Sequence, residues 1–167
     1  MTVESHEKLL LGFLQAAWGR RNPKWRESTF EIAKFLSTTE KGNAVEDFAA
    51  QLLKQVGYPN VERHHSRRGD WDVRVGNTTI EVKCATLDTN GNFQFNGIRY
   101  DTKYDLLLVI GIAPEAVFFN IYHKKQLHDL PLVSMAKGTN AGYKLTRAVK
   151  DLHPITDFGE VFGNLTA

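Results

Sequence analysis

Apolar residues recur at two different periods along this chain, and the point where the period changes organises it. In residues 5–18, Leu9, Leu10, Phe13, Leu14 and Ala17 fall at helical spacing, which predicts an amphipathic helix broken by residues 19–23. A second, short helix is expected after Ser28, where Ser28-x-x-Glu31 has the form of a capping box. The strongest helical pattern starts at Asn43 and ends at Gly57, with Val45, Phe48, Ala49, Leu52, Leu53 and Val56 as its buried stripe. After it the period drops to two. Residues 61–65 read as a strand, and residues 71–75 and 78–85 alternate around Gly76-Asn77, a Gly-X pair suited to a two-residue hairpin loop. Residues 104–112, YDLLLVIGI, are nearly all apolar and predict a central strand buried on both faces. The chain turns at residues 113–115, returns as a strand over 116–122, and begins a short helix over 124–127. Residues 134–167 show little periodicity. The expectation is one α/β domain over 1–167, a mixed central sheet flanked by helices.

Composition narrows the class. A chain of 167 residues can build a core without metal or disulfide staples, and 42% hydrophobic with 24% charged residues is ordinary for a globular protein. The single cysteine, Cys84, excludes an intramolecular disulfide and suits a reducing cytoplasm. No apolar run approaches the ~20 residues of a membrane helix, and the acidic N-terminus is a poor signal peptide. A cytoplasmic protein without membrane attachment is expected. Net charge is only +2, but bases cluster. Lys124, Lys125, Lys137, Lys144, Arg147 and Lys150 face one acid, Asp129, between residues 123 and 150; Arg63, Arg67, Arg68 and Arg74 form a second group. Such clusters read either as a polyanion face or as solvated surface.

The hairpin holds the candidate chemistry. A two-residue loop sets Val75 opposite Thr78, Arg74 opposite Thr79, Val73 opposite Ile80 and Asp72 opposite Glu81, with Asp70 opposite Lys83. Alternation then places Trp71, Val73, Val75, Ile80, Val82 and Cys84 on a core face and Asp70, Asp72, Arg74, Glu81 and Lys83 on the other. A merely solvated face would more naturally oppose unlike charges, whereas Asp72 and Glu81 repel without a cation. Two carboxylates with a backbone carbonyl nearby, that of Val82, make a hard oxygen site of the kind magnesium takes. Lys83 on the same face can hold an attacking water and stabilise charge developing on a phosphorane.

Asp72-x8-Glu81-x-Lys83 resembles the catalytic motif of the PD-(D/E)XK nuclease superfamily, with Trp71 where many members carry proline. The order helix, hairpin, strand over residues 43–130 agrees with that family's core. The resemblance implies a restriction-endonuclease-like fold and a Mg2+-dependent endodeoxyribonuclease (Mn2+ able to substitute), with Asp72, Glu81 and Val82 on the metal and Asp72, Glu81, Lys83 and Glu46 catalytic. Glu46 stands where some members place a supporting glutamate, but Asn43-x-x-Glu46 equally fits a helix-capping pair. The segment NFQFNGIRY, residues 92–100, and the strand after it resemble the stretch just past the catalytic lysine in some restriction-type endonucleases. Gln94, Asn96 and Arg99 would then contact phosphates or base edges, or else belong to a structured loop or cap. Arg67, Arg68 and Arg74, with Lys137, Lys144 and Arg147 from the tail, would hold the DNA backbone. Residues 1–42 would form a helical N-terminal part, and residues 131–167 a tail contacting DNA or a partner subunit.

The expected function is therefore type II restriction, cutting duplex DNA at a specific sequence, by a homodimer because each strand needs its own active site. The alternatives are a structure-specific or repair nuclease, a subunit of a heteromeric nuclease, and a non-cleaving nuclease-like DNA-binding module. Other chemistries find no support. His64 and His65 point to opposite faces of a strand, and His123, His128 and His153 lack zinc-ligand spacing. There is no Gly-rich phosphate loop and no nucleophile elbow, and Cys84 reads as a buried, inert thiol.

Overall fold

A computed structural model describes residues 6–65, 69–135 and 142–167. It is an α/β structure with a mixed six-stranded sheet, a small antiparallel sheet and three α-helices. The helices are α1 (His6–Arg21), α2 (Thr38–Gln55) and α3 (Phe158–Thr166). The larger sheet contains β1 (Val61–Arg63), β2 (Val73–Val75), β3 (Thr78–Thr86), β5 (Leu106–Ile112), β6 (Val117–His123) and β9 (His153–Pro154), in the order β1-β2-β3-β5-β6-β9. The smaller sheet comprises β4 (Asn92–Ile98), β8 (Tyr143–Ala148) and β7 (Val133–Ser134), in the order β4-β8-β7. No helix among the described residues is long and apolar enough to cross a membrane.

The hairpin register agrees with the sequence reading as far as its ladder runs: Val75 pairs with Thr78, Arg74 with Thr79 and Val73 with Ile80. Gly76 makes the tight turn possible, with φ at +57°, a conformation that costs a residue with a Cβ. β3 and β5 form the parallel pair, matched residue for residue from Ile80↔Leu106 to Thr86↔Ile112. Every residue of β5 is buried, because each face of the sheet is covered by a different layer. On one side Ile80, Val82, Leu106, Leu108 and Ile110 pack with Val45, Ala49 and Leu53 of α2 and with Phe158 and Phe162 of α3. On the other, Leu107 and Val109 pack with Phe93, Phe95 and Ile98 of β4 and Leu145 of β8. Gly111 of β5 leaves room for the ring of Phe93; a Cβ there would lie 2.8 Å from it.

Several sequence expectations are corrected. The capping box belongs to Ser37 and Glu40, not to Ser28 and Glu31: the Ser37 hydroxyl accepts from Glu40 N, and the Glu40 carboxylate accepts from Ser37 N. α2 therefore begins five residues before Asn43, which removes the capping role for Asn43 and Glu46. Ser28 instead donates to the Trp25 carbonyl at 2.7 Å, and only a short 3-10 helix, Glu31–Lys34, follows. Phe48 and Val56 of the expected α2 stripe are exposed. Residues 92–98, read as a loop or cap, are a strand, and the tail contains β8, β9 and α3. Trp71 packs in the cluster under β4 and β8 rather than with Val73 and Ile80.

Candidate active site

Asp72 gains its position because the hairpin ladder stops short of it. The last pair is Val73↔Ile80, and Asp72 N donates to the Ile80 carbonyl at 2.9 Å instead of advancing to Glu81. The expected Asp72–Glu81 and Asp70–Lys83 cross-strand pairs are thus not ladder pairs. β2 remains tied to the outer strand, His64 N donating to the Asp72 carbonyl at 2.8 Å, while its bond to β3 lapses. Where a strand carbonyl would accept from Val82 N, the Asp72 carboxylate does so, with Oδ2 at 2.8 Å. The N–H and C=O of one strand residue point to the same side, so the Val82 carbonyl also faces Asp72.

This irregularity still brings the two carboxylates together. Asp72 and Glu81 lie within hydrogen-bonding reach of each other, and Glu81 Oε1 is 2.5 Å from Lys83 Nζ. Glu46 approaches from the third turn of α2. A cleft of about 510 Å³ is lined by Thr39, Asn43, Glu46, Arg63, His64, His65, Gly69, Asp72, Glu81 and Lys83. The four residues that sequence reading named as catalytic share this one cleft.

Among the described residues, three carboxylates here face two strong bases, Arg63 and Lys83. Burial pushes Glu46 up to about 7, the charge of Asp72 adding to the shift and Arg63 opposing it. Glu81 is also pushed up, chiefly by burial and further by Asp72, while Lys83 holds it down. Crowded acids in a half-closed cleft are the signature of a site that takes a cation or a proton. Among the described residues, no group of three or more His, Cys, Asp and Glu side chains is set to hold a metal ion alone. Magnesium does not need one. It is commonly bound through one or two carboxylates, keeping water and substrate phosphate as its other ligands. Asp72 and Glu81 with the Val82 carbonyl fit that requirement.

Arg63 is the residue that sequence reading misplaced. It stood among the bases assigned to a polyanion, but only 12% of its side chain is exposed. Its guanidinium donates to Glu46, to Asp47 Oδ1 at 3.1 Å and to the carbonyls of His64 and Asp72. It ties α2 to the end of β2. The signal was the strand pairing, since Arg63↔Val73 puts it one residue from Asp72.

The proposed DNA contacts divide into groups. Arg67, Arg68 and Lys137 lie outside the described residues. Arg74 is exposed, paired with Glu62 and 5.3 Å from the Trp71 ring centroid. Gln94 and Asn96 point outward from β4, and Gln94 Nε2 donates to Asp88 Oδ2 at 3.2 Å. Thr146 sits opposite Gln94, so its neighbour but one, Lys144, shares that outward face. Arg147 does not share it: it sits opposite the buried Phe93 and donates to the Tyr122 hydroxyl at 3.3 Å. Arg99 forks onto Asp101, with Nε at 2.9 Å and Nη2 at 2.6 Å from its carboxylate oxygens. Asp101 chiefly, and the charge of Glu81 to a lesser degree, raise the pKa of Arg99. Cys84 is half-buried and burial pushes its thiol up, as suits an inert thiol.

The chain matches no protein-family model, and no curated protein matches it.

Proposed function

We propose that the protein is a magnesium-dependent DNA endonuclease with a restriction-endonuclease-like core. The observation that carries this reading is the meeting of Asp72, Glu81 and Lys83 where β2 leaves β3, with Glu46 facing them from α2. Asp72 and Glu81, with the Val82 carbonyl, would hold Mg2+ or Mn2+, which when bound supplies positive charge to a phosphodiester oxygen and to the attacking water. Asp72 is held in place by the Val82 N–H, and Glu81 by Lys83. The Lys83 ammonium, beside the carboxylate pair, is placed to orient a water and to offset charge developing on the phosphate. In the reaction a water oxygen bonds to phosphorus and the bond to one sugar oxygen breaks. Glu46 supports the site through Arg63, which also holds the backbone of Asp72.

Sequence-specific cutting of duplex DNA draws support from the outward row of Gln94, Asn96, Thr146 and Lys144. Side-chain amides read adenine edges, while a lysine takes phosphate. The test is incubation with plasmid and phage DNA in Mg2+, in Mn2+ or in chelator, with sequencing of the ends. Metal-dependent, discrete fragments are expected. Cleavage confined to branched substrates would replace restriction with a structure-specific nuclease. DNA that is bound but stays intact in both metals would overturn the enzymatic reading in favour of a binding module.

A further inference from the structure

His64 stands one residue past β1, where its backbone N–H holds the Asp72 carbonyl, and it lines the cleft with Asp72, Glu81 and Lys83. Its ring is fixed in place. It packs against Trp71, with ring centroids 4.8 Å apart, and against Gly69, where a Cβ would lie 2.3 Å from Nδ1. Only a glycine leaves room for it. The Nδ1 atom is buried and has no hydrogen-bond partner among the described residues. An orphaned buried polar atom is rare enough to need a reason.

The orphan decides where the ring carries its proton. A proton on Nδ1 would be a buried donor with no acceptor, driven against the hydrogen that Gly69 carries in place of a Cβ. A lone pair there faces that C–H instead, a weak but favourable contact. The proton therefore belongs on Nε2, which is open to the cleft and has no partner among the described residues.

We propose that His64 contacts the substrate, its Nε2–H donating to a non-bridging phosphate oxygen of the DNA strand in the cleft, a role that rests on the nuclease reading. Two observations support a phosphate as the acceptor. The strong bases of the cleft are already engaged, Arg63 with Glu46 and Asp47, and Lys83 with Glu81. A strand with a negative charge at every phosphate must also find donors that are not committed. Thr39, Asn43 and His65 line the same cleft but are exposed, whereas the His64 ring is held before substrate arrives and loses little freedom on contact. A neutral donor also holds a phosphate without pairing with Asp72 as a further cation would, and leaves that carboxylate to a metal.

The first test needs no DNA. In long-range proton–nitrogen spectra of the metal-free protein in mildly alkaline buffer, the His64 ring is identified by its loss in His64→Gln. It should show a bare Nδ1 and a protonated Nε2; the opposite tautomer overturns the proposal. The second test measures binding to a duplex in chelator and cleavage in Mg2+. His64→Ala should weaken binding and raise KM by about 10- to 100-fold, with kcat reduced less. A glutamine amide reaches the place of Nε2 and an asparagine amide that of Nδ1. His64→Gln should therefore bind within about threefold of the native protein, and His64→Asn should not. Gly69→Ala, which displaces the ring without removing it, should act as His64→Ala does. Rescue by asparagine rather than glutamine overturns the proposal, as does a His64→Ala protein that binds and cuts like the native one. A native protein that neither binds nor cuts DNA overturns the nuclease reading together with this contact, whatever the tautomer.

Discussion

The carboxylate of Asp72 accepts a hydrogen bond from the backbone N–H of Val82 at 2.8 Å, standing in for the strand carbonyl that β2 no longer supplies. One side chain thereby closes a gap in the sheet and faces Glu81. The two roles can be separated. Asp72→Asn keeps an acceptor for Val82 and removes the charge, so cleavage should disappear while the unfolding temperature without metal holds or rises, relieved of repulsion from Glu81. Asp72→Ala should be equally inactive but less stable than Asp72→Asn by about 1–3 kcal/mol, the cost of an orphaned buried N–H. Thermal unfolding of the two variants side by side decides the matter. Equal stabilities would show that the Val82 bond contributes nothing.

Glu46 should make stability fall as pH rises. Its folded-state pKa, about 7, lies above the ordinary 4.5, so between those values the native state holds a proton that the unfolded chain releases. The penalty grows across that window and is complete above pH 7. Glu46→Gln should therefore gain on the native protein, in chelator, by on the order of 1–3 kcal/mol between pH 5 and pH 8. Mg2+ should stabilise the native protein more at pH 8 than at pH 5. A stability difference that stays flat with pH would sink the assignment.

Arg63 should matter to the fold as much as to the site. Removing one partner of a buried pair strands the other, so Arg63→Ala should lose about 3–5 kcal/mol in denaturant unfolding. Arg63→Lys should recover only part of this, since one ammonium cannot reach Glu46, Asp47 and two carbonyls together. In any such variant that still folds, the salt dependence of DNA binding should be unchanged. A shallower slope would return Arg63 to the DNA-contacting residues.

Lys83→Ala should slow cleavage by about 10²–10³-fold or more while calorimetric Mg2+ affinity persists, because lysine acts on water and phosphate rather than as a ligand. Lys83→Arg should not restore the rate. Collapse of metal binding in a folded Lys83→Ala protein would contradict this division of labour.

Recognition should split along the outward face of the small sheet. Gln94→Ala should lose about 1–3 kcal/mol of discrimination between cognate and non-cognate duplexes, as an amide reading adenine does. Lys144→Ala should weaken both alike and lower the salt slope by about one unit. Titrations at several salt concentrations separate the two. Equal losses on both duplexes for Gln94→Ala would move sequence reading off this sheet.

The hairpin was legible because Gly76-Asn77 and strict alternation specify both turn and register, and β5 because seven consecutive apolar residues admit few other placements. The lapse of the ladder at Asp72 was not legible. It depends on a side chain replacing a backbone acceptor, which no periodicity records. The start of α2 was set too late because its first turns, Thr38 to Gly42, carry no apolar residue, and only the Ser37–Glu40 box marks them. The small sheet escaped notice because β4 and β8 lie about fifty residues apart and each is short. For α1 the helix was correct, but its spacing could not reveal that its apolar face meets solvent.

β3 is matched to β5 along seven consecutive residues, whereas β2 holds to β3 through three. The candidate site therefore straddles a boundary of local stability. Glu81 and Lys83 ride on the longer ladder, and their amide protons should exchange more slowly than that of Asp72. Asp72 rides on a short ribbon that can fray by itself. The carboxylate pair thus joins two unequal ladders, with Glu81 on the longer one and Asp72 just past the end of the shorter one, where the Val82 N–H and Arg63 hold it.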